Sequence, residues 1–376
     1  MPLKSGLRIN HFASYIAGME KIFPYSHLLS FTKKVFQQMG CAEEDAAVAA
    51  EVLLSADLRG IDSHGVARLS GYIRLWQAKR INPTPAIKVI HETPSTAVVD
   101  GDQGLGLVVA PYAMKLAMKK AEQVGTGWVS VQNSNHFGIA GYHAMMALSN
   151  DMIGMAMTNA SALVAPTFSK EKMLGTNPIA VAIPAGTEPA FVADFATTTA
   201  ANGKLEILQR KQQHTPEGWV QDENGEASID ANILKKNGSL LPLGSDKTHG
   251  SHKGYALGSI VDIFSAVLSG ASYGPWAPPF PAYIPMPENM PGNGLGHFLG
   301  AMRIDAFRPA ETFKSHMDNW IGRFRNAEPI DPSIPVLIPG DPERIIEAER
   351  LKNGIPLLPV VVEDLVATGD LFGIRL

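Results

Sequence analysis

Two short stretches of the chain carry side chains that can move a proton near neutral pH. In one, Ser63-His64-Gly65 is followed by Arg68, four residues beyond the histidine; in the other, His136 sits in Ser134-Asn135-His136-Phe137-Gly138. An unperturbed imidazole changes charge between pH 5 and 8. An arginine fork grips a planar carboxylate through two parallel hydrogen bonds. Together they suit acid/base chemistry on a small anionic molecule. Each has a plainer reading too, His64 in an exposed capping turn and His136 capping backbone groups after a strand. Asp194, at the end of the apolar run Ala190-Phe191-Val192-Ala193, is a third candidate. An acid at a strand end can accept the hydroxyls of a ribose, or it can cap a helix. Lys253, at the start of a helix, is a fourth.

Other chemistries lack their residues. The chain has no HExxH, CxxC or EF-hand spacing, and His249-x-x-His252 has no nearby carboxylate or thiol set. Gly250-Ser251-His252 does not make a nucleophile elbow, and there is no Walker loop. No well-placed GxGxxG occurs, although the turn Gly101–Gly106 could approach a phosphate. Hydride exchange with a 2-keto acid requires an Arg for the carboxylate, an imidazole for the carbonyl proton and a nicotinamide site.

The bulk numbers bound the setting. With 376 residues, 45% apolar and 18% charged, the chain can bury a large core in two domains or one large one. A net charge of −4 without a basic run points away from nucleic acid and from an anionic membrane. No apolar run approaches the ~18 residues of a spanning helix. The single cysteine, Cys41, suits a reducing compartment. Met1–Phe23 lacks the compact apolar core and cleavage site of a signal peptide, so the cytoplasm is expected.

The elements that must hold these residues alternate between helix and strand. A helix capped by Ser26 is expected through Phe36, then a second over 46–58 with Glu43, Glu44 and Asp45 in its first turn, where carboxylates favour the dipole. Pro83, Pro85 and Pro94 mark an extended linker before the strand Thr96–Asp100, followed by a helix over 108–124. The apolar Gly127–Val131 reads as a buried strand that delivers His136, with a short helix over 140–148 behind it. Strands are expected over 152–157, 178–183, 190–194, 296–305 and 334–338. Thr197–Thr199 could begin a helix, and helices are expected over 253–268, 311–325, 343–352 and 360–371. Residues 214–252 read as a polar surface excursion, and the seven prolines of Pro275–Pro291 as an irregular loop.

In this order the chain is similar to the malate/L-lactate dehydrogenase superfamily of the second type, unrelated to the Rossmann-fold lactate dehydrogenases. The matching pieces are Ala56-Asp57-Leu58-Arg59-Gly60 with Asp62-Ser63-His64-Gly65 and Arg68, then Ser134–Gly138, Leu174-Gly175-Thr176-Asn177-Pro178-Ile179 and Asp194-Phe195-Ala196-Thr197. His252-Lys253-Gly254-Tyr255, Gly296-His297-Phe298 and Pro339-Gly340-Asp341 complete the set, in family order across about residues 25–370. The resemblance implies an α/β fold, with a non-Rossmann NAD(P)-binding α/β/α sandwich inserted in a helical domain built from both chain ends. The division would be a helical part over 1–90, the NAD(P)-binding domain over 91–305, and 306–376 packing back on the first helices. It implies an NAD(P)-dependent oxidoreductase of a small 2-hydroxy acid such as malate or lactate, working as a homodimer. A C-terminal helix that returns to the N-terminal region is consistent with an isologous dimer.

Residue by residue, the resemblance makes His64 and His136 the proton-transfer candidates, Arg68 the carboxylate contact and Ser63 a substrate contact. Asp194, Phe195, Ala196, Lys253, Gly340 and Asp341 become cofactor contacts. Ala160 stands where some relatives carry a serine near the cofactor, with Ser161 beside it. His143 occupies a position that is often tyrosine, residues 1–22 extend beyond the usual family start, and the Pro275–Pro291 loop is unusually proline-rich. Asp194 favours NAD over NADP if it meets the 2′-hydroxyl, since a carboxylate repels a 2′-phosphate. Other activities on the same scaffold are sulfolactate, ureidoglycolate, diketogulonate and cyclic imino acid oxidoreduction. Further from it stand a catalytically dead binding module and a metal hydrolase using His136 and His143; no metal is expected.

Overall fold

The computed structural model describes residues 20–376; most of the segment read above as no signal peptide lies outside them. The chain opens with β1 (Lys21–Phe23), α1 (Tyr25–Gln38), α2 (Glu43–Leu58) and α3 (Leu69–Gln77). Then come β2 (Lys88–Glu92), β3 (Thr96–Gly104), α4 (Gly106–Val124), β4 (Thr126–Ser134), α5 (Ala140–Met145), β5 (Met152–Thr158), β6 (Ile179–Ile183) and β7 (Phe191–Phe195). The second half holds α6 (Asn202–Arg210), the short β8 (Val220–Gln221), β9 (Ala227–Ser228) and β10 (Ser239–Leu240), then α7 (Ser251–Asp262) and β11 (Leu295–Arg303). It closes with α8 (Ala310–Arg325), α9 (Asp341–Asn353), β12 (Ile355–Leu357) and α10 (Pro359–Phe372).

Seven strands form one mixed sheet in the order β2-β3-β4-β11-β5-β6-β7. Only β3 and β4 run parallel, as they must where a helix, α4, carries the chain back across the sheet. Every other pairing in this sheet is antiparallel. Side chains alternate across it. Val129, Val131, Leu299 and Ala156 pack with Val109, Ala113 and Met114 of α4. On the other face Phe298 and Met157 pack with Val261 of α7, and Phe264 just beyond α7 meets Phe298. Polar residues at the end of β4 therefore emerge from a strand held on both sides.

A second core lies among α1, α2, α3 and α10, built from Leu28, Phe31, Phe36, Leu53, Tyr72 and Leu365. The chain ends meet in the antiparallel pair β1–β12, which sets Lys21 opposite Leu357. Helix α8 instead lies by the end of the sheet, where Trp320 meets Phe191 edge-on and Asp318 accepts the backbone N–H groups of Gly186, Thr187 and Glu188.

Several local expectations are corrected. Helix α1 begins at Tyr25, directly after Pro24, with no side-chain cap, so Ser26 lies inside it. Residues 334–338 form no strand, because Pro332, Pro335 and Pro339 withhold the N–H groups a ladder needs. The linker contains β2, an exposed edge strand whose Lys88, His91 and Glu92 hide its pattern. Thr197–Thr199 pack beneath the β10 segment rather than opening a helix, which starts at Asn202. The excursion over 214–252 holds β8, β9 and β10 and buries Val220, Ile233 and Leu240.

Candidate active site

Helix α2 ends on a buried acid that shapes the first histidine turn. Asp57 accepts the Val66 N–H at 2.8 Å, and burial pushes its carboxyl well above the usual carboxylate range. Gly65 lies against that carboxyl so closely that a Cβ would stand 2.1 Å from its carbon. Arg350 of α9 clasps the turn from outside, bonding the Asp57 carbonyl and the Asp62 carboxylate. Within the turn Ser63 Oγ meets His64 Nδ1 at 2.9 Å. Arg68 donates from Nε to the Ser63 carbonyl at 2.6 Å, and its Nη1 lies 3.4 Å from Glu206 of α6. One face of the guanidinium fork is thus fixed to the turn that carries His64.

The second histidine leaves the end of β4 two residues after Ser134. Phe137, fully buried, is wedged between the rings of His143 and His297, with centroids 4.6 and 4.8 Å away. That wedge anchors the loop and sends the neighbouring His136 toward α3. There Tyr72 Oη stands 2.7 Å from His136 Nδ1, while the His64 ring stacks at 5.7 Å and 24°. Phe280, from the proline-rich loop, closes the other side 4.9 Å from the His136 ring. Asn135 binds the Gln103 and Gly104 carbonyls. The Gly101–Gly106 turn therefore presents carbonyls to the protein, a poor cradle for a phosphate.

Both imidazoles are held neutral. Burial, helped by the nearby Arg68 charge, lowers His64 to about 4. Burial, then His64 and Arg68, carries His136 well below its ordinary value. Two stacked imidazoles beside a guanidinium cannot both carry charge, so they titrate as a coupled pair. The result is a neutral proton acceptor next to a fixed cation, a pairing suited to drawing a proton from the hydroxyl of a bound carboxylic acid.

A cleft of about 400 Å³ opens nearby, lined by Arg59, Ile61, Gly141, Asp194, Phe195 and Gly340. Asp194 accepts the Gly141 N–H at 2.7 Å and so caps the first turn of α5. A Cβ on Gly141 would stand 2.8 Å from that oxygen. The outer side of Asp194 is open to solvent, yet the protein around it pushes its carboxyl up to about 6, against the Gly141 bond. Ile61 in the cleft wall accepts the His64 N–H, joining this space to the first histidine turn.

The cofactor candidates divide. Asp194, Phe195 and Gly340 share the cleft, and Ala196 follows them, half-buried. Asp341 is spent locally: although burial opposes it, the Ile338 N–H, Arg344 and Arg325 hold its carboxyl below the usual range. Ala160 donates its N–H to Asn177, and Ser161 Oγ accepts the Phe280 N–H, which ties the proline-rich loop down. Lys253 is exposed on the first turn of α7, outside the contacts that join the histidine pair. His143 turns Nε2 to the Phe137 carbonyl, 2.8 Å away, and packs against Phe137 rather than facing His136 across an open site. Among the described residues no cluster of three or more acids, histidines or cysteines is arranged to hold a metal.

Sequence reasoning missed Tyr72, Asp57 as a support and Phe280. Tyr72 follows Arg68 by four residues, in the first turn of α3, and that spacing is the one signal by which the sequence could have drawn it in.

Comparison with known proteins shows the family. A family model described as malate/L-lactate dehydrogenase matches residues 23–366. Malate dehydrogenase of Pyrococcus abyssi is 42% identical over 94% of this chain and 95% of its own length. L-sulfolactate dehydrogenase of Methanocaldococcus jannaschii is 40% identical over 86% and 89% respectively. The structure of malate dehydrogenase from Pyrococcus horikoshii superposes with a TM-score of 0.86 at 38% identity, covering 96% of this chain and 98% of that one.

Proposed function

The chain belongs to the malate/L-lactate dehydrogenase family and is an oxidoreductase acting on a 2-hydroxy acid, and we propose that Arg68, His64 and His136 form its reaction centre. Arg68 grips the carboxylate, Ser63 adds a hydrogen bond, and one histidine takes the hydroxyl proton during oxidation and returns it during reduction. The observation that carries this reading is the neutral, stacked His64–His136 pair beside the fixed Arg68. The relatives' names, malate and sulfolactate dehydrogenase, support a compact acid such as malate or lactate. The ureidoglycolate, diketogulonate and cyclic imino acid activities are alternatives on the same scaffold.

The nicotinamide cofactor fits the cleft beside Asp194. The residues present suit it: an open space, a glycine where a side chain has no room, and an acid with one oxygen committed to Gly141. Asp194, Phe195, Ala196 and Gly340 would hold it, with Ala160, Lys253 and the Asp341 turn at its margins. When bound, it takes up or gives back a hydride at the carbon that bears the hydroxyl. We assign NAD ahead of NADP on the carboxylate of Asp194. Homodimeric assembly and a cytoplasmic site belong to the same reading; no helix of the described residues is long and apolar enough to cross a membrane.

The test is a reduced-nicotinamide absorbance assay of purified protein with malate, lactate, sulfolactate and ureidoglycolate, each with NAD and with NADP. Turnover on at least one acid, faster with NAD, is expected. No turnover on any of them would overturn the proposal. Light scattering alongside should give a dimer's mass.

A further inference from the structure

We infer that Tyr72 is a positioning residue for the reaction, and that through it His136, rather than His64, is the proton-transfer group. The inference rests on the hydroxy-acid reading above. Tyr72 is fully buried and packed against Phe36 and Phe280, with ring centroids 6.3 and 5.3 Å away, so its hydroxyl has one fixed place. That place is 2.7 Å from His136 Nδ1.

A proton-relaying imidazole changes what its far nitrogen needs. When Nε2 takes a proton from the substrate hydroxyl, Nδ1 must carry a hydrogen and needs an acceptor. In the other neutral tautomer Nδ1 is bare and needs a donor. A carbonyl or an N–H serves only one of these states, whereas a hydroxyl both donates and accepts. Tyr72 can turn its O–H toward a bare Nδ1, or toward the His136 carbonyl 3.5 Å away while accepting from Nδ1–H. The Gly138 N–H, 3.3 Å from Nδ1, serves the bare state alone. In oxidation the substrate O–H bond breaks as the proton passes to Nε2, and the hydride would pass from the same carbon to a bound nicotinamide; reduction reverses both.

His64 is less well prepared. Its Nδ1 also meets a hydroxyl, Ser63 Oγ at 2.9 Å, but Ser63 is half-buried on the same turn, whereas Tyr72 is fully buried and held from another element by Phe36 and Phe280. His136 is enclosed by Tyr72, Phe280 and His64, and the buried Phe137 wedge fixes its loop. The geometry gives His64 the substrate-side hydrogen bond and His136 the proton.

The test compares Tyr72→Phe, His136→Asn and His64→Asn by turnover across pH, cofactor affinity and thermal midpoint, with ¹⁵N-imidazole spectra of the wild type. Tyr72→Phe removes one oxygen and should lower kcat roughly ten- to a hundredfold, move the pH limb assigned to His136 and leave cofactor affinity unchanged. His136→Asn should erase that limb, and His64→Asn should keep it while raising KM. In the wild type the His136 Nδ1 resonance should shift on adding a substrate analogue. A His136→Asn variant with normal turnover would sink the hydroxy-acid mechanism itself. A dead His136→Asn beside a Tyr72→Phe with unchanged kcat and pH limb would overturn the role of Tyr72 alone. If Tyr72→Phe proves too unstable to assay, an Nδ1 resonance that ignores the analogue overturns the proposal by itself.

Discussion

Substituting Gly65 by alanine should show how tightly the first histidine turn depends on the buried acid beneath it. The added methyl would stand 2.1–2.2 Å from the carboxyl carbon and both oxygens of Asp57. Asp57 is 1% exposed and cannot swing out to solvent. Making room therefore means forcing the core, at about 1–3 kcal/mol, and breaking the Val66 N–H···Asp57 bond, at about 1–3 kcal/mol for the buried group left unpaired. The sum is about 2–6 kcal/mol. The same displacement moves Ser63 and His64, so turnover should fall together with stability. Asp57→Ala alone should cost about 1–3 kcal/mol for the orphaned Val66 N–H. In the Asp57→Ala background the new methyl occupies vacated space, and Gly65→Ala should then cost less than about 1 kcal/mol. The four proteins of this cycle, unfolded in urea with midpoints and slopes fitted together, should give a coupling of at least about 1 kcal/mol. Single costs that add within about 0.5 kcal/mol would refute the steric argument.

Stability should also fall as the solution is acidified through the histidine range. Burial lowers His64 and His143 to about 4 and His297 to about 3, from an ordinary value of 6.5. The unfolded chain therefore binds protons first, and the three contributions, complete above 6.5, drain away as pH falls toward 4, by a few kcal/mol for a fully buried group such as His143. His136, carried well below its ordinary value, adds a fourth contribution of the same sign, while Asp194, raised to about 6, and Asp57, raised well above the carboxylate range, run the opposite way, two acids against four histidines. Urea midpoints measured from pH 7.5 to 5 should decline steadily; a flat or rising profile would contradict the assignment. Asp194→Asn should preserve the Gly141 bond, remove the charge and shift the ratio of NAD to NADP affinity toward NADP by at least about tenfold. Fluorescence titration of both cofactors checks this, and an unchanged ratio would remove Asp194 from the ribose site.

What the sequence conveyed well was local. Helix α2 announces itself through three acids in its first turn and an alanine-rich run, and the β4–His136–α5 unit through a buried apolar strand ending in polar residues. What it concealed depends on residues far apart in the chain. Strand β2 is exposed along its whole length, so no apolar alternation marks it. Tyr72 reads as one more large residue on the buried face of α3, since nothing local says that its hydroxyl meets a histidine 64 positions away. Phe280 hides in a loop that composition marks only as irregular, and Asp57 looks like an ordinary polar residue near a helix end. The two histidines and Arg68 stood out as candidates because imidazole and guanidinium side chains are chemically specific wherever they occur. Tyr72, Phe280 and Asp57 did not, because their contribution depends on what lies across the fold from them rather than on residue type.

The most direct test of the central claim asks whether Arg68 reads the substrate's carboxylate. The oxidation rate of one accepted 2-hydroxy acid is compared with that of its primary amide, in the wild type, Arg68→Met and Arg68→Lys. A charge-assisted hydrogen bond contributes about 1.5–3 kcal/mol, so the wild type should prefer the acid roughly ten- to a hundredfold in kcat/KM. Arg68→Met should lose that preference, and Arg68→Lys should recover part of it, because lysine restores the charge without the fork. An acid preference that survives intact in Arg68→Met would show that the carboxylate is held elsewhere, and the proposed reaction centre would be wrong.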